Sequence, residues 1–194
     1  MRAMEEVEKE LVHTRQIICH GYRRQDGLWQ IEARVSDEKG QTMTFNSRPA
    51  IQPGELIHHL SLCVVIDDDC LIRDARAQTL TAPWSTCGGV DDDYRKLIGL
   101  RIGPGFARDV REALGGPLGC THLTDLLVQV GNTYMQASWP DRVARQRLVS
   151  ADPRVWPDAR TLSFVDQCYA WRLDGEALVA EYPELAAQSK VPAP

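Results

Sequence analysis

The chain has 194 residues, of which 43% are hydrophobic and 25% are charged, and these values are typical of one folded domain rather than a disordered chain. Its 22 Lys and Arg residues against 27 Asp and Glu residues give a net charge of −5, which disfavours non-specific binding to nucleic acid. Its apolar runs are too short to span a bilayer, and its acidic N-terminal stretch lacks the apolar segment of a secretory signal. We therefore expect no nucleic-acid partner, no membrane partner and a cytoplasmic location.

The first half of the chain shows the period of β-strands. Residues 1–12 are predicted to be a charged arm. Residues 15–24 and 28–37 predict a hairpin, because apolar side chains alternate along its return strand. Residues 56–66 and 70–80 predict a second hairpin, turned by three consecutive aspartates.

The second half changes to the period of helices. Residues 91–99, 103–116 and the segment after Cys120 predict three helices, the last with apolar residues on one face. Residues 138–160 predict a proline-interrupted connection, and residues 161–182 predict a last hairpin turned at Asp174 and Gly175. Strands followed by helices indicate an α+β domain over residues 13–183, an antiparallel sheet built from hairpins with helices packed on one face. Residues 184–194 are predicted to be a flexible tail.

A thiol and an imidazole stand two residues apart at the start of the third predicted helix. Cys120 and Thr121 take the capping position, and His122 falls in the first turn. The free backbone N–H groups and the helix dipole favour a thiolate there and oppose protonation of an imidazole. The pair therefore suits proton transfer or ligand binding, although capping by Thr121 with simple packing of Cys120 explains the same pattern equally well.

Two other segments carry residues of the same chemical types. Cys87 lies in a loop whose glycines allow close approach of a ligand. His58 and His59 are adjacent on a predicted strand, so they point to opposite faces of the sheet. We predict that Cys87 and one of these two histidines line a common cavity with the Cys-x-His pair.

His13 and Arg15 share one face of an extended segment near the start of the chain. An arginine beside a histidine could hold a carboxylate or a phenolate. A salt bridge at a strand edge is the structural alternative.

Four segments of the chain resemble a known family. Residues 13–37, 55–80, 97–127 and 166–184, together with the Gly-Cys-Thr-His-Leu sequence at 119–123, resemble the bacterial family called domain of unknown function 2889. The resemblance covers roughly residues 12–183. Where the family pattern usually has an acid after the first of two histidines, this chain has His59. The resemblance implies a pathway protein, with catabolism of aromatic compounds as one setting.

A fainter resemblance concerns the arrangement of elements. The chain order is a hairpin, a loop cysteine, a helix and then a cysteine at the start of another helix. This order is similar to that of the scaffold proteins of iron–sulfur assembly. In that arrangement Cys87, Cys120 and a group near His58 would converge. The strand that would carry the scaffold's Cys-Gly-Asp instead reads Ile-His-His-Leu here, so this resemblance implies a shared fold more than a shared task.

Two functions of different classes fit these residues. The first is a small-molecule enzyme, a lyase or hydrolase without a cofactor, in which the catalytic residues are His122, Cys120 and His58 and the substrate-binding residues are Arg15, His13 and Cys87. The second is a metal-binding or scaffold protein that holds zinc or an iron–sulfur cluster through Cys87, Cys120, His122 and Cys168. A homodimer formed through an exposed hairpin edge is compatible with both.

Overall fold

A computed structural model describes residues 7–148 and 165–183. Four strands form one antiparallel sheet in the order β1-β2-β3-β4, with the bounds β1 His13–Arg23, β2 Trp29–Lys39, β3 Leu56–Ile66 and β4 Ile72–Thr81. Each strand pairs with its neighbour in the chain, so the two predicted hairpins are confirmed. Residues 7–12 are exposed and have no regular secondary structure.

Strand β2 shows why the sheet has one buried face. Trp29, Ile31, Ala33 and Val35 are buried, while the residues between them are more accessible. Because successive side chains of a strand point to opposite faces, this alternation places every apolar residue of β2 on the same side. That side carries the hydrophobic core.

The long helix that covers this face supplies the other half of the core. The helices are α1 Phe106–Leu114, α2 Thr121–Ala137, α3 Trp139–Leu148 and α4 Glu176–Glu181, with 3-10 helical segments at Cys87–Leu97, Gly116–Leu118 and Tyr169–Trp171. Helix α2 packs across β1, β2 and β3 and buries Leu123, Leu126, Leu127, Val130 and Tyr134. Each fully buried side chain of this size stabilises the fold by about 1.5–3 kcal/mol. The predicted α+β class, with helices on one face of an antiparallel sheet, is confirmed.

The chain divides into two compact units, Met1–Ala137 and Ser138–Pro194. The first contains the sheet, α1, α2 and the core just described. In the second, Val165 and Leu178 are buried with Trp139, Trp171 and Leu173 packed against them. The prediction of one domain over residues 13–183 stays a prediction, because compactness alone does not decide whether two parts of a chain fold together.

Two predictions in the second unit are wrong. The predicted proline-interrupted connection begins with helix α3, Trp139–Leu148, because Pro140 occupies its first turn, where a missing N–H costs nothing; residues 149–160 lie outside the described part of the chain. The predicted hairpin over 161–182 is also absent from residues 165–182, since Gly175 precedes helix α4 with an extended backbone (φ −80°, ψ 151°) instead of turning a hairpin. Residues 161–164 and the predicted tail lie outside the described residues.

Strand β1 is an edge strand of the sheet, and the side chains of Ile17, Ile18 and Tyr22 on it are exposed. The predicted homodimer through a hairpin edge stays a prediction. Across residues 7–148 and 165–183, every helix is too short or too polar to cross a lipid bilayer.

Candidate active site

A buried aspartate lies at the centre of the site. Asp37 stands directly opposite Arg15 on β1 and directly opposite His58 on β3. Residues directly opposite one another share a face of the sheet, so the three side chains form a row on the core side. Asp37 is 0% exposed, and a carboxylate in that position requires charged or hydrogen-bonding partners.

Arg15 is the main partner of this carboxylate. Its Nε donates to Oδ1 of Asp37 over 2.7 Å, and its Nη2 donates to Oδ2 over 2.8 Å. Nε2 of His13 lies 3.1 Å from Oδ1. Although burial alone would raise it, the pKa of the Asp37 carboxyl is held well below its usual range, with the hydrogen bond from Arg15 as the largest cause. Asp37 is therefore an ionised acceptor at any physiological pH.

The ionised carboxylate fixes the tautomer of His58. Nδ1 of His58 lies 2.9 Å from Oδ2 of Asp37, and a carboxylate without a proton can only accept, so Nδ1 carries the hydrogen. In the neutral ring the other nitrogen, Nε2, then keeps its lone pair. Within the described part of the chain, that nitrogen has no hydrogen-bond partner.

The ring of His122 stacks on the ring of His58, with centroids 3.9 Å apart and an interplanar angle of 36°. Burial, followed by the charge of the neighbouring His122, lowers the pKa of His58. Burial, followed by the charge of Arg15, lowers the pKa of His122. The expectation that His122 is neutral agrees with this direction, but burial rather than the helix start is the main cause.

The start of helix α2 is fixed by a buried tyrosine. The hydroxyl of Tyr94 donates to the carbonyl of Cys120 over 2.8 Å, and the backbone N–H of Cys120 donates back to that hydroxyl over 3.1 Å. Sγ of Cys120 lies 3.8 Å from Nδ1 of His122, within reach of a hydrogen bond to sulfur. The predicted position of the Cys-x-His pair at a helix start is confirmed.

These groups border one cavity of about 470 Å³. Its lining consists of apolar, thiol, hydroxyl and imidazole side chains: His58, Leu60, Ala82, Pro83, Trp84, Thr86, Cys87, Val90, Gly119, Cys120, Thr121 and His122. The predicted common cavity is confirmed, and His58 is the histidine that lines it. His59 lies on the opposite face, in register with Ser36 and Thr81.

A family model described as a protein of unknown function, DUF2889, matches residues 13–136. The chain belongs to the DUF2889 family. The matched residues include Asp37 and all the residues that line the cavity, so the candidate site lies wholly in the DUF2889 region. No curated protein and no solved structure matches the chain.

The three remaining predicted site residues of this DUF2889 protein are His13, Arg15 and Cys168. His13 and Arg15 contact Asp37 instead of lining the cavity. Cys168 is exposed and belongs to the second compact unit, whereas Cys87, Cys120 and His122 belong to the first. The roles predicted for these residues stay predictions.

The DUF2889 site also contains a possible set of metal ligands. In the described part of the chain, one group of three offers ligand atoms within 4.8 Å of one another, namely Asp37, His58 and His122. The predicted ligand set of Cys87, Cys120, His122 and Cys168 shares His122 alone with this group.

Asp37 is the residue of the candidate site that sequence reasoning missed. It continues the alternating series of β2 by one step beyond Val35, so a period of two already places it on the buried face. A carboxylate at the end of such a series, with Arg15 already expected to hold a carboxylate, is the signal in the sequence.

Proposed function

We propose that this DUF2889 protein is an enzyme that moves protons to and from a small molecule held in the cavity. The single observation that carries the proposal is the row Arg15–Asp37–His58, in which a buried carboxylate orients an imidazole on the wall of a cavity. An imidazole oriented in this way by a carboxylate is a common general base.

His58 has the properties that a general base requires. Its hydrogen bond to Asp37 holds Nδ1–H, so Nε2 is the nitrogen that can take a proton. Its lowered pKa means that the ring is unprotonated at pH 7 and able to accept. Once His58 is protonated, Asp37 lies 2.9 Å from the new positive charge and stabilises it.

His122 supplies a second proton acceptor beside the first. The stacked rings make simultaneous protonation unfavourable, because two positive charges 3.9 Å apart repel each other in a partly buried site. At most one ring is therefore protonated at a time: the ring that takes up a proton can act as the acid, while the other stays a proton acceptor. This is the division of labour between acid and base that a lyase or hydrolase needs.

The cavity lining indicates the substrate class. No Lys, Arg, Asp or Glu is among the lining residues that the structure describes, and Leu60, Pro83, Trp84 and Val90 provide apolar walls. We propose a substrate whose bound part is uncharged and apolar. An aromatic ring packed against the half-exposed Trp84 fits these walls, and it is consistent with catabolism of aromatic compounds.

The proposed reaction needs no cofactor, and the cytoplasm is the proposed location. All six cysteines are free thiols, which is typical of proteins from a reducing compartment. A small-molecule substrate with no nucleic-acid partner agrees with the net charge of −5.

Metal binding is the second candidate, and the clustering of Asp37, His58 and His122 is the observation in its favour. Both carboxylate oxygens of Asp37 already accept hydrogen bonds from Arg15. A cation bound there would lie close to the Arg15 guanidinium and would be repelled by it. The acid–base function is therefore the better supported one.

The experiment compares the replacement of His58 with that of its neighbour in the strand. We expect His58→Gln to lower the hydrolysis rate of p-nitrophenyl benzoate by about 100-fold or more, because glutamine cannot take up a proton. His59→Gln is the matched control and should keep the rate of the original protein. Equal rates for His58→Gln and the original protein would contradict the proposal. Stoichiometric zinc, measured by mass spectrometry after incubation and dialysis and lost in His122→Ala, would favour the metal-binding function instead.

A further inference from the structure

We infer that Cys120 is a nucleophile that forms a thioester with the acyl group of an ester or thioester substrate, and that His122 takes up the thiol proton. The inference rests on the proposed function, because it names the bond that is broken in the same cavity. It adds covalent catalysis to acid–base chemistry.

The order of groups around His122 is the first argument. Nδ1 of His122 lies 3.8 Å from Sγ of Cys120, and Nε2 lies 3.8 Å from Oδ2 of Asp37. The imidazole therefore stands between a thiol and a carboxylate. A negative charge near Nε2 favours the tautomer with its hydrogen on Nε2, which leaves Nδ1 as the acceptor for the thiol proton.

The second argument is that the thiol is held by rigid structure. The hydroxyl of the fully buried Tyr94 binds both the carbonyl and the N–H of Cys120. It also lies 2.9 Å from the hydroxyl of Thr124, one turn into α2. The position of the sulfur relative to His122 is therefore set by the core of the fold, as a nucleophile requires.

The other cysteines lack this combination. Cys87 lines the same cavity, but in the described part of the chain its sulfur has no hydrogen bond to an imidazole. Cys63 lies on β3, and burial raises the pKa of its thiol, which keeps it protonated and unreactive. Cys120 is thus the cysteine that combines access to the cavity with a proton acceptor.

The chemistry balances without an oxidant or a second organic substrate. The sulfur of Cys120 bonds to the acyl carbon while its proton moves to Nδ1 of His122. The bond from that carbon to the leaving group then breaks, and the leaving group departs with the proton. Water, deprotonated by Nε2 of His58, next adds to the thioester, the carboxylic acid is released, and the proton on His58 returns to the sulfur. The net change is hydrolysis of one acyl bond by one water molecule.

The substrate class follows from the atom that a thiolate attacks and from the residues that line the cavity. A carbonyl carbon is an electrophile that a thiolate attacks unaided, and the uncharged lining suits an apolar acyl group. An oxygen ester and a thioester present the same carbon, so the experiment includes one of each.

The test follows the acyl group directly. The protein is mixed rapidly with p-nitrophenyl butyrate or with the butyryl thioester of N-acetylcysteamine, quenched with acid, and mapped by peptide mass spectrometry. We expect one butyryl group on Cys120 and an initial burst of leaving group. Higher turnover with the thioester than with the ester would assign the natural substrate to the thioester class, and the reverse would assign it to the esters.

Three variants separate this inference from the proposed function. Cys120→Ser should lose the burst and at least about 100-fold in turnover, whereas Cys63→Ser is the matched control and should lose neither. His58→Gln should keep the burst and accumulate the butyryl group on Cys120, because acylation uses His122 and hydrolysis uses His58. Full turnover in Cys120→Ser together with loss of turnover in His58→Gln would overturn the inference and leave the proposed function intact. Full turnover in both variants would overturn both, and a butyryl group on Cys87, or no adduct and no burst, would overturn the covalent step.

Discussion

The centroids of the imidazole rings of His58 and His122 lie 3.9 Å apart, with the ring planes tilted by 36°, although one residue belongs to a strand and the other to a helix. Both rings approach the same oxygen of Asp37, at 2.9 Å and 3.8 Å. One carboxylate charge is therefore shared between two bases, and protonation of either base opposes protonation of the other. The following predictions test this arrangement and the structure around it.

The first prediction concerns stability against pH. The pKa values of His58 and His122 are lowered in the folded protein, so the unfolded chain binds protons at a higher pH, near about 6.5. The neutral rings contribute their full stabilisation above the pKa of the unfolded chain. That contribution is lost as the pH falls from there towards the lower pKa values of the folded protein. We expect the free energy of unfolding, measured with urea, to decrease between pH 7.5 and 5.5.

Replacement of the stacked rings should reduce this pH dependence. His58→Gln should show a smaller decrease over the same range, and His59→Gln, on the other face of the sheet, should decrease as the original protein does. A decrease of the same size in His58→Gln would contradict the assignment. Asp37 does not contribute in this range, because its pKa is depressed and its contribution is lost only in stronger acid.

The second prediction concerns the ion pair of Asp37. Arg15→Gln leaves a fully buried carboxylate without its main partner, which destabilises the folded protein. Because Arg15 is partly exposed, solvent screens the ion pair and makes the loss of stability smaller. We expect a loss of about 2 kcal/mol in the free energy of unfolding. Arg34→Gln, on the exposed face of β2, is the matched control and should change stability by less than about 0.5 kcal/mol. Equal losses in the two variants would show that Asp37 does not depend on Arg15.

The third prediction concerns thiol reactivity. Cys120 lines the cavity beside an imidazole that can accept its proton, whereas burial raises the pKa of Cys63. Iodoacetamide should therefore label Cys120 before Cys63 and before Cys70. Peptide mass spectrometry after short labelling times measures the order, and earlier labelling of Cys63 would be the contrary result.

The fourth prediction concerns the contact between β1 and helix α2. A Cβ atom added at Gly21 would lie 2.8 Å from Cβ of Ala137, so the strand or the helix must shift to accept it. Gly21→Ala should cost about 1–3 kcal/mol of stability by overpacking. Gly89→Ala meets no atom within 4 Å and should stay within about 1 kcal/mol of the original protein. Equal urea midpoints for Gly21→Ala and the original protein would indicate that the two elements are packed loosely.

Elements whose residues repeat at a regular period could be predicted from the sequence. The alternation from Trp29 to Val35 predicted β2, and the apolar positions from Leu123 to Tyr134 predicted α2, because burial on one face imposes these periods locally. The second unit was harder to predict. Asp174 and Gly175 are typical of a hairpin turn, but the same two residue types also precede helices, and the helix formed.

The set of residues around Asp37 could be predicted only in part. The glycines near Cys87 and the helix start at Cys120 are local signals, and they led to the cavity. Arg15 and His58 are 22 and 21 positions away from Asp37 in the sequence, and strand pairing alone brings them together. The period of two within β2 places Asp37 on the buried face, but the segment itself does not show which side chains of the neighbouring strands bind the carboxylate.

The candidate site forms only when β2 pairs with β1 and β3 in the correct register. A slip of β2 by one residue would turn Asp37 to the outer face of the sheet and leave Arg15 and His58 without their common partner. Under the proposed acid–base function, chains with a misaligned sheet would have no activity even if they stayed compact. Specific activity per molecule should therefore report the fraction of chains with native strand alignment, which bulk measures of secondary structure do not distinguish.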